Sequence, residues 1–271
     1  MPTILKREFA PISDQAWNEL DSEAARLLRE NLTGRRLVNF SGPHGWEFAA
    51  LNIGRLEVAN KKTDDGVGWG VRKMQPIVEV RVPFVLPQME IDNVARGAGD
   101  VDLDPLQEAI EKAARFEDKA IYHGFGDADM QGIIANYGQE VVTLPADGGD
   151  FPKAIGQALK ALSAAGIGGP YALVLGTDEY YDLMQAGSGG YPPHRIIEDM
   201  LEGGDILKSP VVSGGVVLST RGDDYELAVG KDFSLGYANH GRDSVELFVT
   251  ESFTFRINEP RAAVPLSKAG K

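Results

Sequence analysis

Residues 76–86, PIVEVRVPFVL, decide the fold. Counted by twos, Val78, Val80, Val82, Phe84 and Leu86 put one apolar face on a strand. On the other face Ile77 and Val85 bracket Glu79, Arg81 and Pro83. Pro83 has no N–H to give to a central ladder, so the segment reads as an edge or partly unpaired strand. A strand this long with an open edge needs cover, and if its own chain supplies none, another chain must.

Working back towards the N-terminus, GRLEVA and GWGVRKM flank the polar stretch NKKTDDGVG, with Asp65-Gly66 as a turn signal. Residues 54–82 therefore form a long two-stranded arm with little core of its own, and an isolated hairpin is marginal in water unless docked. RLVNF and the aromatic turn SGPHGWEFAA precede it as further β structure. Residues 13–31 read as a helix capped by Ser13 and ended by Gly34. Trp17, Leu20, Ala24, Leu27 and Leu28 form its apolar stripe, which serves either core packing or a partner-binding groove.

Beyond the strand, Asp104-Pro105 opens a helix that runs to about His123, a spine of roughly 30 Å. Its buried side follows Leu106, Ile110, Ala113, Phe116 or Glu117, Ala120 and Ile121. After residue 139 helix and strand alternate. QEVVTL is a strand, Asp150-Phe151-Pro152 opens a helix to Ala165, and YALVLG is a buried strand. TDEYYDLM and HRIIEDML are short helices separated by the loop AGSGGYPP. VVSGGVVLST and YELAVG read as a hairpin around Arg221–Asp224, SVELFVTESFTFRI as the last long strand, and 258–271 as a polar tail. The α/β block at 130–220 is an insertion within an α+β frame.

The chain has 271 residues, 43% of them apolar and 25% charged, as in globular proteins. Forty acids against 27 bases give a net charge of −13, and the basic dipeptides Lys6-Arg7, Arg35-Arg36, Lys61-Lys62 and Arg72-Lys73 are scattered, which disfavours a nucleic-acid partner. No window reaches the roughly 18 apolar residues of a membrane span. MPTILKREFAP lacks the pattern of a signal peptide, and there is no cysteine for disulfides, zinc-thiolate sites or a thiol nucleophile; a cytoplasmic location fits.

A search for chemistry finds little. Gly176-Thr177-Asp178-Glu179 stands at the carboxyl end of a strand, where α/β enzymes place sites, but a helix cap and first-turn acids account for it. His44, His123, His194 and His240 have no metal-ligand spacing. DADMQG at 127–132 resembles a calcium loop, yet Gly138 stands where the bidentate Glu is required. Arg221-Gly222-Asp223 is an ordinary turn sequence. Glu117-Asp118 and Glu198-Asp199 are adjacent on helices and point apart, so they are expected on the solvated surface. No catalytic residue, metal site or cofactor is expected, and a chain of this size without a site reads as a scaffold.

Together, LKREFAPISDQAW, GRRLVNFSGPHGWEFAA, RVPFVLPQMEIDNVARG, FEDKAIYHG, GPYALVLG, GYPPHR, LAVGKDFSLGYANH and ELFVTESFTFRI resemble the encapsulin shell proteins, nanocompartment subunits once described as linocin-type bacteriocins. The resemblance runs in order from Leu5 to Ile257. It implies an α+β, tailed-phage major-capsid-protein fold: 1–53 as N-terminal helix and start of the peripheral domain, 54–82 as extended arm, 83–129 as peripheral domain with the spine helix, 130–220 as axial domain, and 221–271 as peripheral strands and C-terminal tail. The sequence departs from the family pattern at His44, Asp223 and Met89, and a turn that needs φ > 0 at Asp223 would be strained.

The resemblance further implies a closed icosahedral homo-oligomer, T=1 for a chain this short, around a cargo enzyme held by its C-terminal peptide. The implied cargo-groove residues are Leu28, Leu32, Leu235, Tyr237 and Phe248. Gly187, Ser188, Gly189, Gly190, Tyr191 and His194 would line the five-fold pore. The cargo would be a ferritin-like protein, for iron storage, or a dye-decolourising peroxidase, for oxidative-stress defence, with no nucleic acid and no membrane partner. The alternative is a phage or prophage major capsid protein that packages DNA.

Overall fold

The structure, a computed structural model, describes residues 4–59, 63, 65–135, 140–187 and 190–268. Helix α1 (Asp14–Asn31) starts where Ser13 Oγ accepts the Ala16 N–H at 3.2 Å, as expected, and buries Ala16, Trp17, Leu20, Ala24 and Leu27. Its end is closed by the Leu32 N–H on the Leu28 carbonyl at 2.9 Å, one turn before Gly34. Gly34 serves close packing instead: a Cβ there would press into the Ile121 side chain.

Strands β1 (Asn39–Ser41), β2 (Ala50–Val58), β3 (Gly70–Pro76) and β4 (Val78–Pro87) lead to α2 (Gln88–Ala95) and the spine α3 (Asp104–His123). A short pair, β5 (Gly124–Phe125) and β6 (Met130–Gln131), closes the spine. The α/β block contains β7 (Val142–Leu144), α4 (Phe151–Ala164), β8 (Tyr171–Leu175), α5 (Thr177–Gln185), α6 (Pro193–Met200), β9 (Ile206–Lys208) and β10 (Gly215–Ser219). Strands β11 (Tyr225–Val229), β12 (Ser234–His240), β13 (Ser244–Ile257) and β14 (Ala263–Lys268) complete the chain.

Strand β13 is the axis of the first sheet. Strand β4 runs antiparallel along one of its edges from Ser244↔Pro87 to Phe253↔Val78. The other edge is shared by β12 and β11, and β1 lies parallel on β11. Among the described residues β4 has β13 as its one strand neighbour, so it is an edge strand, and burial alternates along it with Phe84 and Leu86 innermost. The apolar face of this sheet packs on α1, α2 and α3 in one core. The second sheet, in the order β7-β14-β10-β8-β9, forms the other core with α4, α5 and α6.

Four expectations change. The hairpin around Arg221–Asp224 is not formed, because β10 and β11 lie in different sheets and the turn carries the chain from one to the other. Asp223 does adopt a left-handed backbone there, with φ 63°. The polar tail is also wrong: Ala263, Val264 and Leu266 are buried in β14, which is inserted between β7 and β10. Pro265 and a short apolar run hid this strand from its sequence signal. The arm ends at Pro76 instead of residue 82, since Val78–Val82 already pair with β13. Finally, Glu117 and Asp118 are fully buried, for the reasons given below.

One glycine positions the first sheet. Gly236 lies opposite Phe248, and a Cβ on it would fall inside the Phe248 ring. Gly236→Ala is expected to cost about 1–3 kcal/mol through overpacking, read as a lower denaturation midpoint with unchanged slope.

Candidate docking groove and assembly surfaces

Where α1 crosses the first sheet a cleft of about 280 Å³ remains open. Ala24, Ala25 and Leu28 of α1, Ile110 of α3, Phe233, Ser234 and Leu235 at the start of β12, and Val249 of β13 form its walls. Arg7 and Asp21 close one end with an ion pair at 2.7 Å, and the Arg7 guanidinium lies 4.0 Å from the Trp17 ring. The result is an apolar trough with a charged end, suited to an extended peptide with aliphatic anchors.

Of the groove residues named from the sequence, Leu28 and Leu235 meet in this cleft. Tyr237 shares the face of Leu235 further along β12; its N–H reaches the Leu5 carbonyl at 2.8 Å and its hydroxyl pairs with His240 Nδ1. Leu32 is buried past the end of α1, away from the cleft walls. Phe248 points to the opposite face of the sheet, under the Arg81 guanidinium at 4.1 Å. The two-residue period of β13 separates Val249 from Phe248 and was the usable signal for this difference. The same parity on β12 aligns Phe233 with Leu235. Arg7, Asp21 and Ile110 carried no sequence signal, because their meeting depends on how α1 crosses the sheet.

Joined to the cleft through Asp232 and Phe233 is the charged centre that buries Glu117. Arg35 Nε donates to Glu117 Oε1 at 3.0 Å, and Nη2 contacts Glu117 Oε2. Nη2 also donates to Glu251 Oε1 at 2.6 Å, and Nη1 donates to Asp232 Oδ1 at 3.0 Å. The guanidinium lies 5.0 Å from the Phe233 ring. Burial opposes the Arg35 charge, but the Glu117 hydrogen bonds and the surrounding carboxylates outweigh it and raise its pKa. Burial, then the Glu117 charge, pushes Glu251 well above the carboxylate range. The next residue of α3, Asp118, accepts the Thr33 hydroxyl at 2.6 Å and the Gly34 N–H at 2.8 Å; burial pushes its carboxyl up to about 6 against these donors. These acids are buried because each has partners in the 33–35 turn, far away in sequence.

The arm formed by β2 and β3 leaves Leu56, Val58, Val67, Trp69, Val71 and Met74 each more than half exposed, the largest such set on the molecule among the described residues. Its root is tied down by Gln75 Nε2 on the Ala128 carbonyl at 2.7 Å and the Ile77 N–H on the Ala49 carbonyl at 3.0 Å. In the loop between α5 and α6 Gly187 has φ 105°, Gly190 is exposed, and Tyr191 is 63% exposed with its hydroxyl on Asp199 at 3.1 Å. His194 is half-buried at the start of α6, and its Nδ1 is buried without a hydrogen-bond partner among the described residues. Ser188 and Gly189 lie outside the described residues. Among those described, no cluster of three or more His, Asp or Glu is placed to hold a metal ion, and no helix is long and apolar enough to cross a membrane.

The family described as "Encapsulating protein for peroxidase" matches residues 2–254. The chain belongs to the encapsulin family. This encapsulin is 42% identical over 268 residues to a type 1 encapsulin shell protein of Rhodospirillum rubrum, covering 97% of this chain and 95% of that one. It is 39% identical over 263 residues to that of Mycobacterium tuberculosis, covering 97% and 98%. In fold it is similar to a virus-like particle from Pyrococcus furiosus, with TM-score 0.64 and 18% identity over 92% of this chain and 98% of that one. It is also similar to the capsid of Myoviridae phage XM1, with TM-score 0.53 and 11% identity over 86% and 90%. The encapsulin therefore has the tailed-phage capsid fold and is the subunit of a self-assembling shell, not an enzyme.

Proposed function

We propose that identical copies of this encapsulin close into an icosahedral shell, T=1, in the cytoplasm and retain a cargo enzyme by seating its short C-terminal peptide in the α1–β12 cleft. The observation that carries this reading is the open apolar trough itself, lined by Leu28 of α1, Leu235 of β12, Ile110 of α3 and Val249 of β13. The family's description supports a peroxidase as cargo; we take it to be of the dye-decolourising type, with a role in oxidative-stress defence. A ferritin-like protein, with iron storage, is the other cargo class. The exposed glycines at 187 and 190, with Tyr191 and His194, support a small opening at the five-fold axis that passes ions and small molecules. The net charge of −13 weighs against packaged DNA.

The test is capture. A fluorescent protein that carries the cargo's terminal peptide should copurify with particles seen by negative-stain microscopy. Leu28 is half-buried on the cleft wall, so Leu28→Asp should leave particles intact. Removing one such anchor is worth about 1–2 kcal/mol, or about tenfold or more in affinity. Equal loading of the wild type and Leu28→Asp would sink the groove assignment, and nuclease-resistant DNA in the particles would favour a capsid role.

A further inference from the structure

The Arg35 cluster is linked mechanically to the cleft. Asp232 Oδ1 accepts from Arg35 Nη1 at 3.0 Å and from the Phe233 N–H at 2.9 Å, and the Asp232 carbonyl accepts the Ser234 hydroxyl at 2.9 Å. Phe233 and Ser234 are cleft-wall residues. The corner is fastened to β13 on one side by Lys231 on Ser252 and on the other by the Ser234↔Thr250 pairing, and between them the Asp232 side chain that holds Phe233 and Ser234 depends on Arg35.

Arg35 is shared by more acid than it can neutralise. Glu117 Oε2 and Glu251 Oε1 both sit on its Nη2, and both side chains are buried, at 0% and 1% exposure. The groups that face Glu251 are Glu117 from α3, Arg35 from the turn after α1 and Asp232 from the β11–β12 corner. Its register partner on β4, Val80, brings no charge. Glu251 Oε2 is buried with no hydrogen-bond partner among the described residues, a poor setting for a full carboxylate. One guanidinium cannot stabilise two buried carboxylates and an outer one equally.

We propose that this cluster is a proton-operated latch on the cleft: with Glu251 protonated, Arg35 holds Asp232 and so fixes Phe233 against α1, and when that proton passes to solvent Arg35 is drawn to the two buried glutamates and releases the corner. Asp232 is the partner that can leave, because its side chain is 41% exposed and water replaces Arg35. The raised pKa of Glu251 gives the direction. An acid raised in the folded state favours the closed form at low pH, and that preference declines as pH climbs from the ordinary carboxylate value through the raised one. The latch operates whatever the cleft binds, so it stands apart from the cargo reading.

Hydrogen exchange read by mass spectrometry on the full-length, assembled protein tests this, at pH 6.5 and 9.5 with rates corrected for intrinsic exchange. In the wild type, protection of the corner at residues 232–234 should drop about tenfold for each pH unit of the titration crossed. Glu251→Gln, a neutral isostere of the protonated acid, should keep that segment protected at both pH values. Glu117→Gln, which leaves one buried carboxylate beside Arg35, should do the same. Equal wild-type protection at both pH values would overturn the latch without any variant, as would the same loss in the wild type and either glutamine variant.

Discussion

Replacing Gly54–Lys73 by a short Gly-Ser turn is expected to give a folded, soluble subunit that closes no shell. The subunit should survive because no residue of β2 or β3 is fully buried and none belongs to either core. The excision must stop before Val78, since Val78–Val82 form half of the β4–β13 ladder, and removing them would open the first sheet itself. The shell should fail because Leu56, Val58, Val67, Trp69 and Val71 are then lost to any neighbour. At about 1.5–3 kcal/mol for each side chain fully buried, five such residues supply on the order of 10 kcal/mol per subunit before association costs. Mass photometry and far-ultraviolet circular dichroism distinguish the outcomes: folded species of low mass are expected. Closed particles from the excised chain would show that the arm is dispensable, and an unfolded chain would show that it belongs to the core.

The opening strand shows what was legible in the sequence. Its period of two, Pro83 and the charged outer face gave an edge strand with a buried apolar side, and both features depend on local geometry. The starts of α1 and α3 were legible for the same reason, because Ser13 and the Asp104-Pro105 step act within one turn. The misses all depended on long-range pairing. β14 is a strand because β7 and β10 leave a gap that it fills. Glu117 and Asp118 look like surface acids until Thr33, Gly34 and Arg35 arrive from more than eighty residues away. In the groove, Leu28 stood on the apolar stripe of α1, while Leu235 was named only through the resemblance to the encapsulins. The Arg7–Asp21 end was not legible, because its two residues meet only through the path the chain takes before α1.

Arg35→Ala should be among the most damaging single substitutions in the chain. Arg35 joins α3 through Glu117, β13 through Glu251 and the β11–β12 corner through Asp232. Removing the cation leaves two carboxyl groups buried beside each other without a counter-charge, and breaking a buried pair from one side costs about 3–5 kcal/mol. The cause can be separated from simple loss of packing by pH. If stranded charge dominates, the deficit should shrink between pH 8 and pH 5, because the unpaired carboxyls then take up protons in the folded state and become neutral. If lost packing against Phe233 and Phe40 dominates, the deficit should be the same at both pH values. A second comparison isolates the charge at constant pH. Adding Glu117→Gln and Glu251→Gln to Arg35→Leu removes every buried charge of the cluster except those of the 118 site, and should restore more than half of the stability lost in Arg35→Ala. Denaturant titration followed by circular dichroism measures each step. No recovery in the triple variant would mean that the hub is held by its geometry and not by its charges, and the latch inferred from it would lose its physical basis as well.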